Sequence, residues 1–298
     1  MENITPIRLL STRRYSMNLQ RLTLSILTFL IPAIALSADV KVLSWNVYML
    51  PSPIKKSLQG LRNQEIPAQL VHTDYDIMFF QEAFTGGFRK TMIKKLSYQY
   101  PYNYYMKKSN LFQVFGSGVF VMSRYPFKIV DQLRYNSCAT EDCFASKGTY
   151  VVELTMPSGK QVQFFPTHLQ SQENKVAIRK AQLHQIRNFM DKNSKRGVPQ
   201  VLLGDLNIAG GDSEFDEGQE ILDMKATDLI GDLKTTSARV NDCYKTPKNS
   251  KWLDHAWIDR KDYSAKSTLK VVPFDFKHDG KNCPLSDHHA VEAHLVFN

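Results

Sequence analysis

Eight polar side chains lie within or at the ends of short apolar runs in this sequence. Taken singly, each has an ordinary explanation as a turn residue, a helix cap or a hydrogen-bonded core side chain. Taken together, they are carboxylates, amides and imidazoles that rigid strands would deliver to one place, as an active site requires. The set comprises Asn46, Glu82, His168, Asp205, Asn207, Asp254, Asp287 and His288.

The composition of this set favours metal-assisted hydrolysis of a phosphate ester. Carboxylate and amide oxygens are hard ligands that suit Mg²⁺ or a similar divalent cation. His168 and His288 offer a general base for water and a cationic contact for phosphate. The sequence contains neither a P-loop nor a G-x-S-x-G nucleophile motif. Attack of water on phosphorus is therefore the favoured chemistry.

The stretch 201–208, VLLGDLNI, shows how a strand would present such groups. Residues i and i+2 of a strand share a face. Asp205 and Asn207 are therefore expected to project together from the end of the strand that contains residues 200–203.

The segments that position the set alternate between short β runs and a few helices. The runs are rich in Val, Ile, Phe and Tyr and are bounded by Gly, Pro, Ser or Asn. This pattern predicts a layered α/β or α+β domain with helices covering the sheet faces. Helices are predicted over residues 174–192, where an apolar stripe recurs at helical spacing, and near 62–72 and 86–99. Strands are predicted over residues 40–47, 75–80, 118–122, 150–154, 161–165, 200–203, 252–258 and 290–297.

The first 38 residues differ from the rest of the chain. Residues 22–36 are uncharged, Arg21 precedes them and small residues follow, which is typical of a secretory signal peptide. The run is short for a membrane span, and an uncleaved anchor is the alternative. Met17 stands where such a peptide would begin, so residues 1–16 are interpreted as an over-called start. Residues 39–298 are expected to form one catalytic domain, because no Pro-, Gly- or Ser-rich linker divides them.

The rest of the chain is moderately basic and contains four cysteines. Residues 1–38 hold four basic residues and one acidic residue, so their removal lowers the net charge from +9 to +6. That charge suits nucleic acid, an anionic membrane or simple solubility. An even number of cysteines in an exported chain predicts two disulfides. Cys138–Cys143 is the local pairing and leaves Cys243–Cys283, although four cysteines allow three connectivities. A zinc site of Cys283, His288 and His289 is disfavoured, because the spacing matches no common zinc pattern.

The motifs around the set resemble those of the endonuclease/exonuclease/phosphatase superfamily, in the superfamily's order. They are SWN at 44–46, QE at 81–82, TH at 167–168, GDLN at 204–207, LD at 253–254 and SDH at 286–288. Within it, the chain is similar to bacterial secreted neutral sphingomyelinases, or sphingomyelinases C, over residues 40–298. The stretches that resemble this subfamily are NVYMLP at 46–51, CATEDCFASKG at 138–148 and the segment 167–186, which begins THLQS.

The resemblance implies a fold and a metal. The fold is α+β and DNase-I-like, a four-layered α/β/β/α sandwich. Glu82 would be the main Mg²⁺ ligand, with Asn46 beside it and Asp287 near the metal, and Mn²⁺ and Co²⁺ are alternative ions. The substrate would be sphingomyelin, split into ceramide and phosphocholine. The resemblance further implies a secreted monomer, extracellular or periplasmic on its way out, that contacts the membrane surface and binds no nucleic acid.

The resemblance also implies catalytic roles. His288 would be the general base for the attacking water. Asp254 would orient His288 and stabilise the charge of its imidazolium. Asp205 and Asn207 would hold the water and a phosphate oxygen. His168 would bind the phosphate and stabilise developing charge.

One stretch departs from the subfamily. Secreted sphingomyelinases often present exposed aromatic residues on a hairpin before the SDH motif, for insertion into the membrane. Residues 263–283 occupy this place and contain Phe274 and Phe276 but no tryptophan. Both phenylalanines belong either to the membrane contact or to the core, and the sequence leaves the two open.

Other functions fit the same residues. A secreted nuclease of the superfamily would use the same set, and the positive charge and the five tyrosines of 98–105 suit it. An ordinary loop and strand is nevertheless the favoured interpretation of that stretch, and the NVYMLP and THLQ stretches favour a lipid. A phosphoinositide phosphatase is a further alternative. A non-catalytic binding module is disfavoured, because the polar set is complete.

Overall fold

The computed structural model describes residues 39–51, 58–108, 113–237, 243 and 250–297. Four helices lie in these ranges: α1 (Gln59–Leu70), α2 (Gly86–Leu96), α3 (Val176–Asn193) and α4 (Ser213–Leu222). The strands in these ranges are β1 (Val40–Asn46), β2 (Ile77–Gln81), β3 (Tyr102–Tyr105), β4 (Phe120–Ser123), β5 (Phe127–Arg134), β6 (Gly148–Thr155), β7 (Gln161–His168), β8 (Gln200–Asp205), β9 (Met224–Ala226), β10 (Asp228–Ile230), β11 (Asp254–Asp259), β12 (Thr268–Val272), β13 (Asp275–His278), β14 (Lys281–Pro284) and β15 (Ala290–Leu295).

Most of the strands form two mixed sheets. The first has the order β10-β12-β15-β1-β2-β4-β3, and the second has the order β5-β6-β7-β8-β11-β9. β1 runs parallel to β2 and antiparallel to β15. In the second sheet β8 runs parallel to β7 and antiparallel to β11. β13 and β14 form a separate hairpin.

The alternation of side chains along the central strands produces four layers. In β1, Val40 and Val42 face the second sheet, whereas Leu43 and Trp45 face α1 and α2. In β8, Val201 and Leu203 face the first sheet, and Leu202 packs with α3 and α4. Each sheet is thus apolar on both faces. One face packs against the other sheet, and helices cover the outer face, so that both faces are buried. The predicted α/β/β/α sandwich is confirmed.

The predicted strands and helices are all present, with ends shifted by a few residues. The tyrosine-rich stretch contains β3, an edge strand in which Tyr104 packs against Tyr150 with ring centroids 5.1 Å apart. The interpretation of this stretch as a loop and strand is therefore confirmed. The elements not predicted are β5, β9, β10, β12, β13, β14 and α4. β9 and β10 have three residues each, so pairing with neighbours defines them and no periodicity could.

Both predicted disulfides, Cys138–Cys143 and Cys243–Cys283, are present. The alternative zinc site is wrong, because the sulfur of Cys283 is bonded to Cys243. The predicted signal peptide lies outside the described residues and stays a prediction. Among the residues that the structure describes, no helix has the length and apolarity to cross a membrane.

Candidate active site

Strand direction brings the predicted residues to one edge of the sandwich. Parallel strands place their carboxyl ends together, so β1 and β2 deliver Asn46 and Glu82 side by side. β7 and β8 likewise deliver His168 and Asp205, which are paired in register. Because β11 and β15 run antiparallel to β8 and β1, the residues at their starts lie at the same edge. These residues are Asp254 on β11, and Asp287 and His288 just before β15.

A hydrogen bond from Asn46 joins the two sheets at this edge. In β1, Asn46 continues the face of Val42, and in β8, Asp205 continues the face of Leu203, so both point between the sheets. The Asn46 amide donates to Asp205 Oδ2 at 2.9 Å and to Glu82 Oε1 at 3.2 Å. One buried amide therefore contacts carboxylates from both sheets and fixes their separation.

The surroundings of Glu82 disfavour the charged form of its carboxyl group. Burial, and then the neighbouring Asp287, raise its pKa to about 7. Burial also raises the pKa of Asp287. Oε2 of Glu82 is buried without a hydrogen-bond partner among the described residues. The backbone of Glu82 has a φ of 53°, a left-handed conformation that is costly for a residue with a side chain. A hard divalent cation would satisfy both carboxylates, so this chemistry fits Mg²⁺.

His288 and Asp254 form an imidazole–carboxylate pair. Nδ1 of His288 lies 2.8 Å from Oδ2 of Asp254, which is fully buried. The indole of Trp45 donates to the backbone carbonyl of His288 at 2.9 Å and holds the loop in place. Burial lowers the pKa of His288, but the carboxylates of Asp254, Asp205 and then Asp287 outweigh it and raise this pKa well above its ordinary value.

Asp205, Asp254 and His288 also place one ligand atom each within 4.8 Å of one another, a spacing that could hold a metal ion. The hydrogen bond between Asp254 and His288 already uses the nitrogen and oxygen that face each other. This geometry orients a histidine so that Nε2 is available for proton transfer. We therefore interpret these residues as a proton-transfer group, and Glu82 as the centre of the metal site.

His168 lies in the cluster, in surroundings that disfavour the charged form of its imidazole. Burial, and then the charge of Lys147, lower its pKa to about 3. Its Nε2 is 3.6 Å from Oδ2 of Asp205, longer than a hydrogen bond. Burial therefore disfavours the charged form of His168, and its role as a cationic phosphate contact stays a prediction. A neutral imidazole at this position can still donate one hydrogen bond to a phosphate oxygen.

A loop, and not the alternation of side chains along β8, positions Asn207 at the site. β8 ends at Asp205, and Asn207 has a φ of 52° in the loop beyond it. Its backbone N–H donates to Asp205 Oδ1 at 3.0 Å, and its amide donates to the carbonyl of Leu169 at 3.2 Å. The expectation that both side chains project from one strand face is wrong. Asn207 nevertheless lines the same cleft as Asp205.

A cleft of about 650 Å³ opens over the cluster, within the size range of ligand pockets. Asn46 and Asp254 lie behind it, 1% and 0% exposed. A second cavity of about 460 Å³ adjoins the cleft, and Glu82 and His168 line both. The predicted residues that line the cleft are Glu82, His168, Asp205, Asn207, Asp287 and His288.

Two residues support the site in roles that the sequence analysis did not assign. Arg62 on α1 is fully buried and donates to the carbonyls of Leu285 at 2.7 Å and Tyr48 at 3.0 Å. It therefore ties the loop before His288 to the segment after β1. Ser286 adds a hydrogen bond to the carbonyl of Asn46 at 2.6 Å. The available signal was the place of Arg62 on the buried stripe of α1, where a charged residue needs partners.

The hairpin β13–β14 does not present the aromatic residues. Phe274 stacks on Trp45 with ring centroids 4.9 Å apart, and Phe276 is 8% exposed. Both pack in the core beneath α1 and α2. The turn between the strands contains Asp279 and Gly280 and is exposed. Of the two outcomes left open by the sequence, the core is the one observed.

The sequence of this fold and site matches a known family model. The model described as endonuclease/exonuclease/phosphatase family matches residues 43–288, which span β1 to His288. The chain belongs to the endonuclease/exonuclease/phosphatase family. This is a family of enzymes. The resemblance predicted from the motifs of this chain is therefore confirmed.

The chain is similar in sequence to bacterial proteins named as a sphingomyelinase and a phospholipase. Sphingomyelinase C 2 of Leptospira interrogans is 27% identical over 250 residues, which are 75% of this chain and 40% of the relative. The chain thus spans well under half of that relative. A phospholipase C of Staphylococcus aureus is 25% identical over 288 residues, covering 86% of this chain and 87% of the relative. The predicted resemblance to bacterial sphingomyelinases is confirmed.

A solved structure supports the fold of this family member. A variant of beta toxin from Staphylococcus aureus, determined with bound magnesium ions, superposes with a TM-score of 0.74 at 24% identity. The match covers 86% of this chain and 99% of that chain. At this identity the superposition shows the shared fold and nothing more specific.

Proposed function

We propose that this protein is a metal-dependent phosphodiesterase that hydrolyses sphingomyelin to ceramide and phosphocholine. The observation that carries the proposal is one cleft over Glu82, whose Oε2 is buried without a hydrogen-bond partner among the described residues, and over His288, which is hydrogen-bonded to Asp254. The names of the relatives from Leptospira and Staphylococcus support the choice of lipid substrate.

The metal proposed is Mg²⁺, held by Glu82 with Asn46 and Asp287 close to it. The raised pKa values of both carboxyl groups support this assignment, because burial, and then repulsion from neighbouring carboxylates, disfavours their charged forms, which a bound cation would stabilise. Mn²⁺ and Co²⁺ have similar ligand preferences and are alternative ions. When bound, the ion would neutralise the charge that develops on the phosphate oxygens and on the leaving ceramide oxygen.

The remaining residues move a proton and hold the reactants. In the neutral form of His288, Nε2 takes the proton from water as the water oxygen bonds to phosphorus and the bond to the ceramide oxygen breaks. The proton ends on the ceramide hydroxyl, and phosphocholine retains the oxygen from water. Asp254 holds Nδ1 of His288 and stabilises the imidazolium. Asp205 and Asn207 orient the water and a phosphate oxygen, and neutral His168 donates one hydrogen bond to the phosphate.

We also propose that the protein is secreted as a monomer with residues 1–38 as its signal peptide and residues 39–298 as its catalytic domain. The two disulfides support an extracellular or periplasmic location, because such bonds persist in oxidising compartments. A sphingomyelinase must contact the membrane surface that holds its substrate. No binding of nucleic acid is proposed.

The test supplies the purified protein with sphingomyelin liposomes and, separately, with duplex DNA, each with Mg²⁺ and with chelator. We expect Mg²⁺-dependent release of phosphocholine, with the DNA left intact. His288→Gln should lower the turnover number by about 10³-fold or more, because it removes the proton acceptor. Cleavage of DNA without phosphocholine release would refute the lipid substrate and indicate a nuclease. Unchanged hydrolysis by His288→Gln would refute the role of this histidine.

A further inference from the structure

The second cavity has an aromatic wall that the proposed reaction does not use. Phe84, Phe115 and Phe144 line it, and the rings of Phe84 and Phe115 lie 5.7 Å apart between centroids. Phe144 is 58% exposed, so its ring stands at the rim. Since Glu82 and His168 line both this cavity and the cleft, a group attached to a phosphate in the cleft can extend into it.

Away from the proposed metal site, Glu141 contributes a negative charge to the lining of this cavity. Asp142 is paired with Lys147 at 2.9 Å, and His168 is neutral because its pKa is lowered to about 3. Glu141 stays ionised, because its own backbone N–H and then the Thr140 hydroxyl hold its pKa below the ordinary value. Aromatic faces with a nearby carboxylate attract an organic cation and repel an anion.

Buried amides hold the wall in place. The side chain of Gln170 accepts a hydrogen bond from the backbone N–H of Ala139 at 2.8 Å. Gln182 accepts one from the N–H of Gln170 at 2.9 Å and donates to the carbonyl of Ser137 at 2.9 Å. Both glutamines are fully buried. They belong to the segment 167–186 that resembles sphingomyelinases, and their contacts serve the loop 137–144 and not the reacting groups.

The loop is also closed on itself and anchored at its acidic residues. The Cys138–Cys143 disulfide closes it, and the backbone N–H of Ser171 donates to Asp142 Oδ2 at 2.7 Å. The carbonyl of Phe144 accepts hydrogen bonds from Val114 at 3.0 Å and Phe115 at 3.1 Å. A loop fixed at so many points presents Glu141 and Phe144 in a set position, as a binding wall requires.

We propose that this cavity binds the trimethylammonium group of a choline headgroup, with the ring of Phe144 as the specificity-determining contact and Glu141 as its counter-charge. This inference rests on the proposed function, and it identifies the part of the substrate that this cavity selects. A quaternary ammonium donates no hydrogen bonds and is bound through aromatic faces and nearby negative charge. A primary ammonium is more strongly hydrated and gains less from such a wall.

The test compares Phe144→Ala, Phe144→Tyr and Val114→Ala on two lipids in mixed micelles with Mg²⁺. The lipids are sphingomyelin and ceramide phosphoethanolamine, which differ in the methyl groups on nitrogen. Val114 is the matched control, because it is also 58% exposed and adjoins Phe144 but does not line the cavity. We expect Phe144→Ala to lower kcat/KM for sphingomyelin by about five- to thirtyfold, from the range of cation–π interactions. We expect kcat/KM for ceramide phosphoethanolamine to change by less than about threefold.

The other two variants separate headgroup binding from membrane contact. Phe144→Tyr should retain the preference for sphingomyelin, because it keeps the aromatic face. Val114→Ala should leave the ratio of the two lipids unchanged. Equal losses of Phe144→Ala on both lipids, or the same change of ratio in Val114→Ala, would overturn the inference and assign Phe144 to general contact with the lipid surface.

A binding measurement separates failure of this inference from failure of the proposed function. Phosphocholine and phosphoethanolamine are titrated into the full protein with Mg²⁺ by calorimetry. We expect Phe144→Ala to weaken the binding of phosphocholine and to leave phosphoethanolamine unchanged. A wild-type protein that releases no phosphocholine from sphingomyelin refutes the proposed function, and the titration still decides the cavity. Equal binding of phosphocholine by wild type and Phe144→Ala overturns the choline site.

Discussion

Removing the charge of Glu82 should stabilise the metal-free protein. The pKa of this carboxyl group is raised from 4.5 to about 7 by burial and by Asp287. The folded protein therefore keeps the proton while the unfolded chain releases it, and the free energy of unfolding falls as the pH rises from 4.5 to 7. Each tenfold change in proton affinity corresponds to about 1.4 kcal/mol, so the full cost at pH 8 is about 3 kcal/mol. Solvent that reaches the half-buried side chain reduces this to about 2 kcal/mol.

Glu82→Gln removes that cost and keeps the oxygen that accepts the hydrogen bond from Asn46. In chelator at pH 8, we expect the variant to melt about 4–8 °C above the wild type, from the usual relation for a domain of this size. At pH 5 the two proteins should melt together to within about 2 °C, because Glu82 is then protonated when folded. Differential scanning calorimetry at both pH values measures the difference.

Mg²⁺ supplies the second half of the same test. An ion bound at Glu82 stabilises only the folded protein, so millimolar Mg²⁺ should raise the Tm of the wild type and leave that of Glu82→Gln nearly unchanged. The variant should also lose phosphodiesterase activity. A variant that is less stable than the wild type at pH 8 in chelator would refute the raised pKa of Glu82. Equal stabilisation of both proteins by Mg²⁺ would refute the assignment of Glu82 to the metal.

Three other residues give independent tests. Asp254→Asn should lower kcat by about 10²–10⁴-fold in steady-state assays while the Tm changes little, because it favours the wrong tautomer of His288; an unchanged kcat would contradict the pairing at 2.8 Å. His168 should show no titration between pH 5 and 8 by NMR, because its pKa is lowered to about 3; an imidazole shift centred near pH 6.5 would contradict its neutral state. Gly204→Ala should lower the free energy of unfolding by more than about 3 kcal/mol in urea titrations, because φ is +137° and the added Cβ would lie 2.0 Å from the carbonyl oxygen of Thr167.

The sequence is sufficient to predict which residues meet at the edge of the sandwich. Apolar runs that end in Asn46, Glu82, His168 and Asp205 determine both the strands and the direction in which each strand delivers its last residue. These strands form two parallel pairs, and the carboxyl ends of paired parallel strands lie at the same edge of a sheet. This rule places all four side chains.

The details that the sequence missed depend on contacts with distant residues. Arg62 bonds to a carbonyl 223 positions away, and no local pattern indicates that partner. Burial and the charge of Lys147 lower the pKa of His168, and Lys147 lies just before β6 and not in the strand of the histidine. The position of Asn207 depends on β8 ending at Asp205, two residues before Asn207, so that strand alternation does not extend to it.

The pairing of β1 with β15 has a consequence for how the protein is made. Residues 40–44 form their antiparallel ladder with residues 291–295, so neighbouring strands at the centre of the first sheet are separated by almost the whole chain. A ribosome that synthesises the chain from its N-terminus cannot close this sheet until the last strand has emerged, and contacts of such sequence separation form slowly. Asn46 and His288 lie on opposite sides of this seam, and Trp45 reaches across it to His288. Chains that lack residues 291–295 therefore lack an assembled site, and hydrolysis can begin only after this strand has been synthesised.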